Sequence, residues 1–241
     1  QSQPKQQQDF QRSLGYSIVF LHGLLGNGRN LKTMARNVVR KHQQERVRDG
    51  NIHCHGGLLM DLPGHGRSRL PSNNDDDNSS SSSTRSTQEY SFQRCIQDID
   101  STLQRKRVIN PSVMNGHSWG GRLALEYTAW KNTMVSTATT TITPSETTTT
   151  LTRIDSLILL DTVPGVANTS VNHVINAVSD IINEQQQQQL PPTTMDRKQL
   201  LKELTSPTKY GIDLPTAQWV VSSYNPQNHD FGFDLSVVHD I

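Results

Sequence analysis

A doubly wound, mostly parallel α/β sheet is the fold class this sequence predicts, and three observations predict it. Four short apolar runs have the length and composition of buried parallel strands: SIVFL (17 to 21), GLLMD (57 to 61), SVMNG (112 to 116) and SLILLD (156 to 161). Helical periodicity separates them, first in Leu31, Met34, Val38 and Val39, then in Phe92, Ile96, Ile99 and Leu103. A third helix starts after Ser118 with Leu123, Leu125 and Tyr127 and is expected to end near Lys131. Strand and helix in strict alternation require crossover connections, and these give a parallel sheet.

Beyond Gly165 the pattern changes. Val171, Val174, Ile175, Val178 and Ile182 recur at helical spacing, and residues 196 to 205 and 215 to 223 look helical again. No strong strand follows Asp161. A run of helices without strands reads as a lid over the end of the sheet, the kind of cap that shapes a pocket and excludes water. The expected organisation is therefore a disordered N-terminal segment (1–16), an α/β core (17–165) and a helical lid region (166–241).

Hydrophobic residues make up only 32% of the 241. The deficit is local. It sits in SNNDDDNSSSSSTRST (72–87), in the Thr-rich run 133–152 and in EQQQQQ (184–189). Such tracts bury too little apolar surface to offset the entropy of ordering, so they are read as disordered surface insertions. The net charge is +1, and RKHQQERVR (40 to 48) is the most basic stretch. It reads as a solvated helix end, and no nucleic-acid partner is expected. No apolar run approaches the roughly 18 residues a membrane helix needs. Two cysteines, Cys54 and Cys95, are too few for a disulfide framework and are expected to be free thiols in a reducing compartment. Residues 1 to 12 show neither a signal-peptide core nor a clear transit-peptide pattern, and the chain begins at Gln1 rather than Met.

The chemistry concentrates in three segments. Gly116-His117-Ser118-Trp119-Gly120 matches G-x-S-x-G between an apolar strand and an amphipathic helix. Ser118 must stand at a strained turn for its hydroxyl to project above the sheet, and small neighbours let strand and helix approach. Leu21-His22-Gly23-Leu24-Leu25-Gly26 follows the first strand. A serine attacking a carbonyl creates an oxyanion, and backbone N–H groups must already point at it. Trp119 is expected to supply one and Leu24 the other. Asp61-Leu62-Pro63-Gly64-His65-Gly66-Arg67-Ser68 follows the second strand, and its Pro and Gly fit a tight turn. His22 lies on the wrong loop for a base. His65 is expected to tie loops together by hydrogen bonds.

HGLLGNGRNL, DLPGHGRS and GHSWGG, in that order and spacing, resemble the α/β-hydrolase superfamily. LLDTVPG (159 to 165), AQWVVSSYNP and FGFDLSVVHDI resemble more narrowly the abhydrolase domain-containing protein 11 family, particularly its plant and algal members. The resemblance runs from about Ser17 to Ile241, interrupted by the polar tracts. It implies an α/β-hydrolase fold and a cytosolic or organellar (mitochondrial or plastid) serine esterase. The enzyme would act on a small-molecule acyl ester or thioester without a cofactor, with Ser118, Leu24 and Trp119 carried over directly.

The order of groups in this fold is Ser, then Asp or Glu, then His. Asp161 ends the fourth run; it is a candidate for the acid, but it could equally cap the DTVPG turn, with the acid drawn from a later strand. The base is not found. His22, His42, His53, His55, His65 and His117 precede Ser118, and His173 opens the lid. His229 and His239 remain, and neither follows a recognisable final strand. The base and the last strands are therefore expected beyond Ile241, with activity lost or impaired in a chain that stops there. Three other readings stay open: a non-catalytic binding protein or pseudoenzyme, a lyase or synthase on the same fold, and a metal site at His53-Cys54-His55. That last site lacks a third and fourth ligand nearby, so no metal is expected.

Overall fold

The computed structural model describes residues 16–48, 56–69, 91–108, 111–138, 153–162, 169–187, 195–227 and 230–239. The chain separates into two compact units. One comprises Gln1–Leu24, Gly28–Leu62 and Phe92–Pro164; the other comprises Leu25–Asn27, Pro63–Ser91 and Gly165–Ile241.

The first unit holds the sheet. Strands β1 (Tyr16–Leu21), β2 (Gly56–Met60), β3 (Val113–His117) and β4 (Ser156–Leu160) are parallel, in the order β2-β1-β3-β4. All four expected strands form, within a residue of their expected bounds. Alternation along each strand sends side chains to opposite faces. Ile18 and Phe20 pack with Val113 and Leu59 under helix α1 (Lys32–Arg48), which contributes Ala35, Met34, Val38 and Val39. Helix α3 (Trp119–Ala138) packs against β3 and β4. Helix α2 (Phe92–Arg105) buries Cys95, Ile96, Ile99 and Leu103 and packs on α3. A polar cluster links these two helices. The Tyr127 hydroxyl and the Lys131 ammonium both donate to Asp100 Oδ1, at 2.9 and 3.1 Å.

Two boundaries differ from expectation. Helix α3 runs to Ala138, seven residues past Lys131 and into the Thr-rich tract read as disordered. Within the helix the Thr133 hydroxyl is satisfied, its Oγ1 donating to the Ala129 carbonyl at 2.9 Å. Asn132 Oδ1 also accepts the Ile154 N–H at 3.0 Å, tying the helix to the chain entering β4. Likewise helix α4 (Thr169–Gln187) takes in the first four residues of the Gln-rich tract, Glu184 to Gln187, and Glu184 accepts from Lys209 at 2.8 Å. The 72–87 tract and the His53-Cys54-His55 segment lie outside the described residues.

The second unit contains α4, α5 (Arg197–Thr205), α6 (Leu214–Ser222) and α7 (Leu235–His239). It also contains strands, contrary to the reading of this region as helices alone. β5 (Tyr224–Asn225) and β6 (Asp230–Phe231) form an antiparallel ribbon. Two-residue strands are too short to show alternation in sequence. The ribbon is held instead by rings and cations. Phe231 stacks at tilted angles on Tyr224 and Phe233, with centroids 5.1 and 5.3 Å apart. Arg197 donates twice to the Tyr224 carbonyl, and Arg69 pairs with Asp230 and donates to the Phe231 carbonyl. Asp196 caps α5 in a reciprocal box with Gln199, and Asp213 caps α6.

The turn after β2 belongs to this unit. Its backbone is bound to the segment 230–239, with Gly66 N–H on the Gly232 carbonyl and Asp234 N–H on the Gly64 carbonyl, both at 2.7 Å. Gly64 adopts φ +72°, and a Cβ there would lie 2.6 Å from Val237 Cβ. Among the described residues, no helix is long and apolar enough to cross a membrane.

Candidate active site

Parallel strands end together, so the residues following them collect along one edge of the sheet. His117 pairs with Leu160 at the ends of β3 and β4. The next residue on each strand, Ser118 and Asp161, has a left-handed backbone, with φ of 51° and 48°. For a residue with a Cβ this conformation is strained and persists only where the surroundings hold it.

The surroundings of Ser118 do hold it. Its N–H donates to the Leu160 carbonyl at 2.8 Å. Its carbonyl accepts the Thr162 hydroxyl at 3.0 Å, and that hydroxyl lies equally close to the Leu160 carbonyl. The same Ser118 carbonyl accepts Gly121 N–H at 2.9 Å as α3 begins. Both backbone groups of Ser118 are thus clamped to the end of β4. Thr162 was not singled out by the sequence, where it is one more residue of a turn.

Glycines make this junction possible. A Cβ on Gly120 would lie 2.6 Å from the Leu21 carbonyl oxygen and closer still to that of His22. A Cβ on Gly116 would strike the backbone of Gly120 and Gly121. Strand β3, helix α3 and the loop after β1 therefore meet backbone to backbone.

The loop after β1 lies beside the serine. A Cβ on Gly23 would be 3.2 Å from Ser118 Cβ and 2.8 Å from His117 Nδ1. Leu24, half-buried, follows it. Trp119 opens α3, and its ring is buried edge-on against Phe92 with centroids 6.0 Å apart. The Trp119 N–H stands in the first turn of α3, where amides have no carbonyl a turn behind them. The helix dipole adds positive potential at that end. Ser118, Trp119, the Gly23–Leu24 backbone and Asp161 thus all stand at the carboxyl ends of β1, β3 and β4.

Among the described histidines, His117 ends β3 directly before Ser118, and His22, His65 and His173 bond backbone groups. His22 is buried; its Nε2 accepts the Leu62 N–H at 3.0 Å, and its Nδ1 lies 2.8 Å from the Gly23 carbonyl. Accepting at Nε2 puts the proton on Nδ1. In the second unit His65 repeats the arrangement, accepting the Leu25 N–H at 3.1 Å and donating to the Pro63 carbonyl at 2.7 Å. Both imidazoles peg loops together. His173 bonds the Tyr210 carbonyl at 2.6 Å. His229 and the side chain of His239 lie outside the described residues. Cys95 is buried, and burial foremost, then the neighbouring Asp98, pushes its thiol up to about 12, so it is no nucleophile near neutrality.

The profile of the alpha/beta hydrolase family matches residues 18–230. Among solved structures, a marine microorganism esterase is similar over 93% of this chain and 67% of its own, at 16% identity and a TM-score of 0.54. A carboxylesterase structure from the thaumarchaeon Nitrososphaera gargenis shares 13% identity over 95% of this chain and 62% of its own, with a TM-score of 0.48. An esterase of M. tuberculosis shares 16% over 93% and 60%, with a TM-score of 0.45. The chain thus spans about two thirds or less of the length of these structures. No curated protein matches the sequence.

Proposed function

The chain belongs to the alpha/beta hydrolase family, and from that membership we propose that it is a serine hydrolase cleaving carboxylic esters or thioesters through an acyl-enzyme on Ser118. The observation that carries the reading is the clamped left-handed backbone of Ser118 between β3 and α3. Leu25 and Arg107 are also left-handed, but at Ser118 this backbone coincides with the G-x-S-x-G turn between strand and helix.

In this reading Ser118 Oγ attacks the acyl carbon and its proton passes to a histidine base. The carbonyl oxygen becomes an oxyanion, received by the N–H groups of Leu24 and Trp119. Losing one such donor costs about a hundred- to a thousand-fold in rate. Asp161, one strand over, is assigned the acid that orients the imidazole and stabilises its charged form. The leaving alcohol or thiol takes the proton back, and water then releases the acid product. The base is assigned to a histidine other than the described pegs, since His22 and His65 already hold backbone amides at Nε2. Residues 166–241 are assigned the role of a lid. The stretches AQWVVSSYNP and FGFDLSVVHDI support kinship with the abhydrolase domain-containing protein 11 family.

The test is labelling with a fluorophosphonate, applied to the protein together with the segment that supplies its histidine base. Ser118 Oγ forms a bond to phosphorus, the P–F bond breaks, and fluoride and the hydroxyl proton leave. The adduct is expected on Ser118 and absent from Ser118→Ala. An adduct of equal yield in Ser118→Ala overturns the assignment. A folded protein that carries its histidine base and still takes no label supports a non-catalytic binding protein instead, and elimination rather than hydrolysis products would move the activity to a lyase.

A further inference from the structure

The exposed face of α1 carries a row of cations over its first three turns. Lys32, Arg36 and Arg40 stand at i, i+4 and i+8, and Lys41 borders them. The exposed neutral residues between them include Thr33 and Asn37, and no carboxylate lies on this face from Lys32 to Gln44. Arg29, exposed in the turn before the helix, extends the row. From Arg29 to Arg48 there are seven Lys or Arg against the single carboxylate Glu45, in a chain whose net charge is only +1. The remainder of the protein is therefore net acidic, and the positive charge is concentrated on one helix.

Four of these cations are not consumed in ion pairs. None of Lys32, Arg36, Arg40 and Lys41 takes part in the ion pairs among the described residues, which join Arg69, Arg94, Lys131 and Lys209 to carboxylates. The helix is also rigidly seated, because its other face, with Ala35, Met34, Val38 and Val39, is packed on the sheet. It cannot roll apolar groups outward. What it presents is a row of cations about 12 Å long, from the rise of eight helical residues.

We propose that this face docks the protein on an anionic phospholipid surface. Clustered Lys and Arg near such a surface contribute about 1 kcal/mol each. Adsorption is electrostatic and reversible, because no apolar side chain on this face enters the bilayer. The face carries no aromatic residue on which a base could stack, which separates it from single-strand nucleic-acid platforms. The inference rests on α1 alone and stands or falls independently of Ser118.

Flotation of the full chain with vesicles tests it. Binding is expected to phosphatidylcholine vesicles containing phosphatidylglycerol, not to phosphatidylcholine alone, and it should be released at high salt. The triple variant Lys32→Gln, Arg36→Gln, Arg40→Gln should partition about a hundredfold more weakly, and Arg36→Gln alone about fivefold. Glutamine is a good helix former, and far-UV circular dichroism verifies that each variant is folded. Lys198→Gln with Lys202→Gln, which removes two exposed charges from α5, should bind as the unaltered chain does. The proposal is overturned if the unaltered chain ignores anionic vesicles, if the triple variant binds equally well, or if duplex DNA is bound through these residues while vesicles are not.

Discussion

Each unit is held together internally, and the two by different means. At the junction of β1, β3 and α3, backbones touch through Gly116 and Gly120, and there is no room for one added carbon. The second unit is joined by side chains: an aromatic cluster of Tyr224, Phe231 and Phe233, cations on carbonyls, and aspartates capping short helices. The first arrangement leaves no slack, since two backbones in contact cannot rotate away. The second divides its cohesion among several groups that can each relax. Tolerance of mutation should differ accordingly.

The largest effect is expected at Gly120→Ala. The new methyl would press on the Leu21 and His22 carbonyls, both backbone, so the cost goes beyond the usual overpacking penalty of about 1–3 kcal/mol and is expected to prevent folding. Urea denaturation should give a strongly lowered midpoint or no folded product. A midpoint within error of the unaltered chain would show that the junction has the slack denied to it here.

Phe231→Ala comes next. The ring is 1% exposed and central to its cluster, so about 3–5 kcal/mol is expected from lost burial and the cavity left behind. The cost should fall toward the lower figure if the neighbouring Tyr224 and Phe233 collapse into the space. Thermal melts of Phe231→Ala beside Phe231→Leu measure that relaxation; equal losses in both would mean that shape rather than volume governs the cluster.

Asp196→Ala should cost least, about 1 kcal/mol, because it removes one cap from one short helix. Asp196→Asn should recover most of it, since Asn caps about as well. A loss several times larger would mean that α5 holds the second unit as stringently as the glycines hold the first.

The four strands, the helices between them and the serine turn were legible because each rests on local pattern. Apolar runs of strand length, helical spacing and G-x-S-x-G are all read within a dozen residues. Where expectation failed, the deciding contacts were distant or balanced. The Thr-rich tract reads as disordered by composition, yet Asn132 and the buried Lys131 anchor the end of α3 and carry it six residues further in. The β5–β6 ribbon escaped notice because its strands are two residues long and its stability comes from Phe233, Arg197 and Arg69.

By itself, the sequence determined the parallel sheet, the family and the position of Ser118, since burial periodicity and a glycine-flanked turn are properties of consecutive residues. Only the tertiary structure decided what holds that turn and where the turn after β2 goes. Thr162 reaches the Ser118 carbonyl from 44 residues away, Leu62 and Leu25 each find an imidazole 40 residues off, and Arg69 pairs with Asp230 across 161. A single hydrogen-bonding side chain leaves no periodic trace. Its partner is selected when the packed strands and helices bring it within reach and leave a buried amide or carbonyl that must be satisfied.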